Sequence, residues 1–371
     1  MKSVSNYWTR WIAKLKGPPL CRTEAQFRGE LFTPDQLSRH ARTLAASHHV
    51  GSHVGPDVLL ARLERNEEVI RAFNGTILAL DKTRRITPAA EWLIDNFYII
   101  EEQIQMARLH LPKGYSRELP RLLDGHSAGV PRVYDIVIEL IAHTDAQMDV
   151  GSLSAFVAAY QSVVSLKLGE LWAIPIMCRL SLIDNLQCIT SRLAIARKER
   201  DLAHSWVERL HEMAKTNPAQ LIVVVAEMAK SEIPLTSSFV AEFCQCLSQH
   251  STVLHFARTW LEQQLSEHGL SVEQLIHRES QMLAADQVSV SHCIASLRLL
   301  GAIDWKDFVE SLSLVEATLR TDPAGIYPTM DFATRDRYRH VVEALARHGE
   351  MGEADVARKS TDLAAVASRA N

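Results

Sequence analysis

The chain has 371 residues, enough to bury one large helical core or two ordinary ones; 47% hydrophobic and 23% charged residues with 15 Gly and 13 Pro exclude disordered and collagen-like classes. The 40 Lys and Arg against 44 Asp and Glu leave a formal charge of -4, so no nucleic-acid partner is expected. Six scattered cysteines fit a reducing compartment and neutral, buried thiols; the Cys244/Cys246 pair has no second pair to complete a zinc set.

Residues 1–20 lack the apolar core and cleavage site of a secretory signal. As a helix they would align Val4, Trp8, Trp11 and Leu15 beside Arg10, Lys14 and Lys16, a basic amphipathic segment able to touch an inner-membrane surface through residues 1–16; a frayed terminus is the plainer reading. Thr33, Pro34 and Gln36 form a capping-box pattern ahead of a helix. His48, His49 and His53, set between Gly51 and Gly55, read as a solvated polar turn, and no metal is assigned to this chain.

Helical spacing then runs over 56–81. Thr87 and Pro88 open the next helix, with Thr87 expected to cap free N–H groups. Its apolar face is Leu93, Phe97, Ile100 and Ile104; Pro112 and Gly114 end it, and Tyr115 follows in a short connection. Further helices are predicted over 131–145, 152–161, 168–214 (two helices, with a kink at Pro175), from Asn217–Pro218 through LIVVVAEMA, and over 236–248, 252–267, 272–284, 288–299, 304–319, 334–348 and 353–368. The run LIVVVA is far shorter than the roughly 20 residues that span a bilayer. The predicted fold is all-α, an irregular array of helical hairpins with a solenoid-like stack as one form of it. The expected organisation is an N-terminal segment 1–20, a helical domain 21–320 with a subdivision near 200, a linker 321–331 and a terminal helical hairpin 332–371. The charged ARKERD run at 196–201 and TRDRYRH at 334–340 read as solvated, salt-bridged helix surfaces.

Glu101 and Glu102 beside Trp92, Tyr98 and Tyr115 raise the idea of a sugar site, because aromatic faces pack on sugar C–H groups and carboxylates bind hydroxyls. Neighbours on a helix point about 100° apart, so the two glutamates are not an opposed acid and base. Asp95, Asn96, Glu170, Trp172, Asp184 and Asn185 interrupt apolar helices and are expected to join helices by hydrogen bonds. Trp92, Asp95, Asn96, Tyr115, Glu170 and Trp172 are the candidates for interdomain or glycan contact, and no catalytic or cofactor-binding residue is assigned. There is no GxxxxGK[ST] loop and no DxD element for a metal-bound nucleotide-sugar diphosphate.

Three segments, residues 87–123, GELWAIPIMCRLSLIDNL at 169–186 and YPTMDFATRDRYRHVVEALAR at 327–347, together resemble the amino-terminal region of the cyclic β-1,2-glucan synthases, and the similarity covers most of residues 29 to 360. In that family the corresponding region precedes a membrane-embedded processive glucosyltransferase that uses UDP-glucose with a divalent metal and closes the product into a periplasmic ring. The resemblance implies a non-catalytic cytoplasmic domain at the inner-membrane face, partnered with the glucosyltransferase module of the same polypeptide. The transmembrane segments expected next in a synthase do not follow Asn371, so a truncation is expected. The alternatives are a freestanding helical adaptor that binds glycan or protein and, more remotely, a helical glycoside hydrolase with opposed carboxylates.

Overall fold

A computed structural model describes residues 29–51, 57–79, 86–112, 114–231, 233–248 and 255–370. The amphipathic reading of 1–20, Cys21 and His53 lie outside them. In chain order the elements are α1 (Pro34–Ser47), β1 (Val50–Gly51), α2 (Val58–Leu78), α3 (Pro88–Asp95), α4 (Phe97–His110), α5 (Tyr115–Glu118), β2 (Arg121–Leu122), α6 (Arg132–His143), α7 (Val150–Gln161) and α8 (Leu168–Thr216). They continue with a 3₁₀ turn at Pro218–Gln220, α9 (Leu221–Lys230), α10 (Ser237–Ser248), α11 (His255–Glu267), α12 (Val272–Ala302), α13 (Trp305–Leu312), α14 (Leu314–Leu319), a 3₁₀ turn at Tyr327–Thr329, α15 (Phe332–His348) and α16 (Glu353–Ala370). Among the described residues the fold is all-α apart from a two-residue antiparallel ladder, Val50 opposite Leu122 and Gly51 opposite Arg121, and an isolated bridge between Arg121 and Pro131.

Local chemistry explains most boundaries. The Thr33 hydroxyl accepts from Gln36 N and the Gln36 side chain accepts from Thr33 N, closing the capping box of α1. Thr87 precedes Pro88 as expected, but its side chain makes no cap bond. The stretch predicted as one helix from Pro88 divides at Asn96, whose side-chain amide donates to Trp92 O at 2.8 Å and competes with the helical ladder. Conversely, α8 is one continuous helix of 49 residues with Pro175 inside it, where two helices were expected. Proline in a helix interior costs about 3 kcal/mol. Leu171, Ala173, Ile174, Met177 and Leu180 are buried around it, and their packing outweighs that penalty. Residues 272–302 likewise form one helix, whereas 304–319 splits at Ser313, whose hydroxyl accepts from Glu316 N and starts α14 afresh.

The chain forms two compact units. Among described residues, the first holds Glu68–Phe97 and Leu186–Ser291. Its core is built from Trp206, Leu210, Val224, Phe239, Phe243, Leu261 and Leu275, with Phe239 and Phe243 stacked at 5.6 Å. The ARKERD run belongs here and is not a solvated face. Arg197 is buried, Arg200 pairs with Glu279 at 3.1 Å, and Glu199 accepts from the Ser238 hydroxyl. Sequence alone could not place the α10 and α12 groups that cover it.

The second unit holds residues up to Glu67, Tyr98–Asn185 and His292 onward. Here α1 packs along α7, and Ile136, Val137 and Ile141 of α6 are fully buried. A satellite core of Val315, Leu319, Tyr327, Val342 and Val356 joins α14, α15 and α16.

Candidate functional site

The second unit concentrates its buried polar groups around α6 and the start of α8. Glu170 lies in the first turn of α8, where free N–H groups favour an anion, and it accepts from Lys167 N at 2.9 Å. Arg132, the first residue of α6, donates Nε to Glu170 Oε1 and Nη2 to Glu170 Oε2, both at 2.6 Å. Glu170 is 0% exposed and Arg132 4%. Burial pulls the Arg132 guanidinium down, but the Glu170 hydrogen bond and charge more than reverse it, so the group stays above its ordinary value.

One turn of α6 further on, Tyr134 and Asp135 face two more networks. Asp184 of α8 accepts from the Tyr134 hydroxyl and the Asn66 amide, and pairs with Arg62 Nε at 3.1 Å. Asp135 accepts from the Ser127 hydroxyl and meets His48 Nε2 at 3.2 Å, while His48 Nδ1 sits 2.9 Å from the Tyr160 hydroxyl. Asn185 donates to Cys293 Sγ at 3.4 Å, and burial pushes the thiols of Cys178, to about 12, and Cys293 upward. Each of these carboxylates already has its partners. The arrangement aligns helices; it does not present opposed, solvent-facing carboxyls to a substrate.

The six candidate contact residues divide between the units. Trp92, Asp95 and Asn96 are in the first; Trp92 is 44% exposed, Asp95 is exposed, and Asn96 is buried with its amide on the Trp92 carbonyl. Tyr115, Glu170 and Trp172 are in the second. Tyr115 is half-buried and its phenol is raised, mainly by burial and then by Glu118 and Glu343. Trp172 stands edge-on to Phe332 at 6.4 Å, and Glu170 is committed to Arg132. Tyr98 is 63% exposed beside Arg298.

A cleft of about 450 Å³ in the second unit is lined by Val150, Leu299, Ile303, Asp304, Asp307 and Phe308, among others. Asp304 is the N-cap of α13 and accepts from Lys306 N and Asp307 N, so its carboxylate is spent on the helix start. The TRDRYRH run is an ion-pair cluster, as expected; its Tyr338 and His340 are exposed, but Arg339 turns inward. Arg339 is 1% exposed and reaches Glu310 and Glu316 at 2.7 Å each, with Asp336 at 3.0 Å, while the Tyr327 hydroxyl donates to Glu316 at 2.7 Å. The carboxylates that sink it lie on α13 and α14, remote from the motif in sequence.

Sequence reasoning also missed a half-buried cluster of His40, Glu139 and His143. Its visible signal was Glu139 and His143 four apart on one face of α6; the third member comes from α1, 99 residues earlier.

Among described residues, no helix is long and apolar enough to cross a membrane. No protein-family model matches the sequence. Over 300 residues, 81% of the chain, it is 30% identical to the cyclic beta-(1,2)-glucan synthase NdvB of Rhizobium meliloti (strain 1021). The chain spans 10% of the length of that relative, so the likeness is to one region of a much larger protein. The relationship expected from residues 87–123, 169–186 and 327–347 is therefore found.

Proposed function

We propose that this chain is a non-catalytic, N-terminal helical domain or fragment of a cyclic β-1,2-glucan synthase that supports its membrane glucosyltransferase from the cytoplasmic face. The observation that carries the reading is the 30% identity over 300 residues to a tenth of NdvB. The parent activity, processive glucosyl transfer from UDP-glucose with a divalent metal, belongs in this reading to other parts of the polypeptide. Two features support a partner role. The buried carboxylates of the second unit are engaged by Arg132, Arg62 and His48, leaving them poorly placed for acid–base work. In addition, Tyr338, Val341 and Leu345 of α15 and Leu363 and Val366 of α16 form exposed apolar stripes, of the kind that a neighbouring part of a larger polypeptide covers.

Cell fractionation with an antibody against this domain tests the proposal. A membrane-bound band several times larger than 41.6 kDa is expected. A soluble band near 41.6 kDa would overturn it and favour the second reading, a freestanding glycan- or protein-binding adaptor, for which exposed Trp92 and Tyr98 are the motivating residues.

A further inference from the structure

We infer that the second unit binds one zinc ion through His40, Glu139 and His143, joining α1 to α6. The inference is independent of the glucan synthase reading and rests on how these three side chains are held. The His143 ring is fixed on three sides. Its Nδ1 lies 2.7 Å from the Glu30 carbonyl, its face stacks on Phe32 at 3.9 Å and 5°, and the Gly29 backbone presses so close that a Cβ there would lie 2.8 Å from ring atoms Nδ1 and Cε1. Backbone bonds from Gly29 N to Ala142 O and from Phe32 N to His143 O, both 3.1 Å, hold that strap in place.

A carbonyl oxygen can only accept, so Nδ1 carries the proton, and in the neutral ring the lone pair is on Nε2. This is the arrangement in which a backbone carbonyl orients a metal-ligating imidazole. His143 Nε2 lies 3.8 Å from Glu139 Oε2, and His40 Nε2 approaches the same oxygen at 3.1 Å. The His40 and His143 rings meet edge-on at 4.7 Å, and one ligand atom from each residue falls within 4.8 Å of the others.

Two ligands about 2.0–2.1 Å from a tetrahedral zinc lie roughly 3.3–3.4 Å apart, so the observed separations need only small side-chain adjustments to close on an ion. Two imidazoles and one carboxylate are borderline ligands that suit zinc and select against magnesium or calcium, which prefer oxygen shells. Side-chain exposures of 26%, 26% and 15% leave one side open, where water completes the coordination.

The test uses the full chain, stripped by chelator and carrying Cys246→Ser. That change removes the thiol of a second cluster, His204, Glu242 and Cys246, from consideration. Competition titration with zinc against a chromophoric indicator is expected to give one equivalent bound. His40→Asn, Glu139→Gln and His143→Asn should each weaken it by about 100-fold or more, at or above the upper end of what loss of an orienting partner costs. Circular dichroism identifies which variants remain folded. Cobalt substitution should give the visible absorption of a low-coordinate nitrogen and oxygen site. A folded protein that binds no zinc, or zinc binding undiminished in the folded variants, overturns the inference.

Discussion

Replacing Glu170 by Met separates a structural role from a glycan-contact role at one of the sequence candidates. In the structure its carboxylate takes two N–H groups from Arg132 and one from Lys167, at 2.6, 2.6 and 2.9 Å. Arg132, 4% exposed, would keep the Ser165 carbonyl at 2.9 Å but lose its counter-charge. Breaking a buried pair by removing one partner costs about 3–5 kcal/mol, and an orphaned Lys167 N–H about 1 kcal/mol more. Against the 5–15 kcal/mol that holds a typical domain, this places the second unit close to unfolding. Arg132→Met should cost about as much, since it strands the carboxylate. The double replacement puts two apolar chains in the same volume and should recover most of the loss, giving a coupling of about 3 kcal/mol. Urea denaturation followed by tryptophan fluorescence and circular dichroism measures all four corners of the cycle. A single replacement costing under about 1 kcal/mol, or additive losses in the double mutant, would refute the account of Glu170 as a helix-aligning group.

Arg339→Leu strips Glu310, Glu316 and Asp336 of a shared buried cation, with Arg335 and Arg320 remaining as partial compensation. It should cost about 3 kcal/mol and make the connection around Pro323–Pro328 newly sensitive to limited proteolysis. Glu353 accepts the Leu168 N–H at 2.8 Å, yet burial raises its carboxyl above the ordinary value of 4.5, the Leu168 bond opposing and Glu343 adding to the rise. The folded state therefore holds the proton more tightly than the unfolded chain. That contribution to stability is complete below about pH 4.5 and is lost as pH rises through the folded value. Glu353→Gln should remove the dependence, so its urea midpoint relative to the parent should rise as pH climbs above about 4.5; a constant or falling difference would contradict the sign.

What the sequence made legible was set by range. The capping box at Thr33 and Gln36, the buried Ile100 and Ile104 face of α4 and the all-α class depend on contacts within a few residues, and all were readable. Asn96 and Ser313 broke predicted helices because their side chains bond nearby backbone, a local option that periodicity does not weigh. Pro175 misled in the opposite direction, since its cost is local while the packing that overrides it is tertiary. Glu170 and Asp184 stood out as polar interruptions of an apolar helix. Their partners Arg132, Arg62 and Asn66 are 38 to 122 residues away and carried no signal of their own.

The same range argument bears on what these polar groups do. Apolar helix faces tolerate a slip of one turn with modest loss, because leucine-like contacts are replaced by others of similar worth. A bidentate Arg132–Glu170 pair does not, since a shift of about 5.4 Å leaves both charges buried and apart. Asp184 with Tyr134, and Asp135 with His48, impose the same condition on the same helix at successive positions. Using any of these carboxylates in proton transfer would require breaking the contact that fixes α6 against its neighbours, so alignment and catalysis compete for the same oxygens. Alignment has them. A helical unit whose internal register is fixed in this way can carry load across its surface without repacking, which suits the supporting role proposed for it beside a larger synthase.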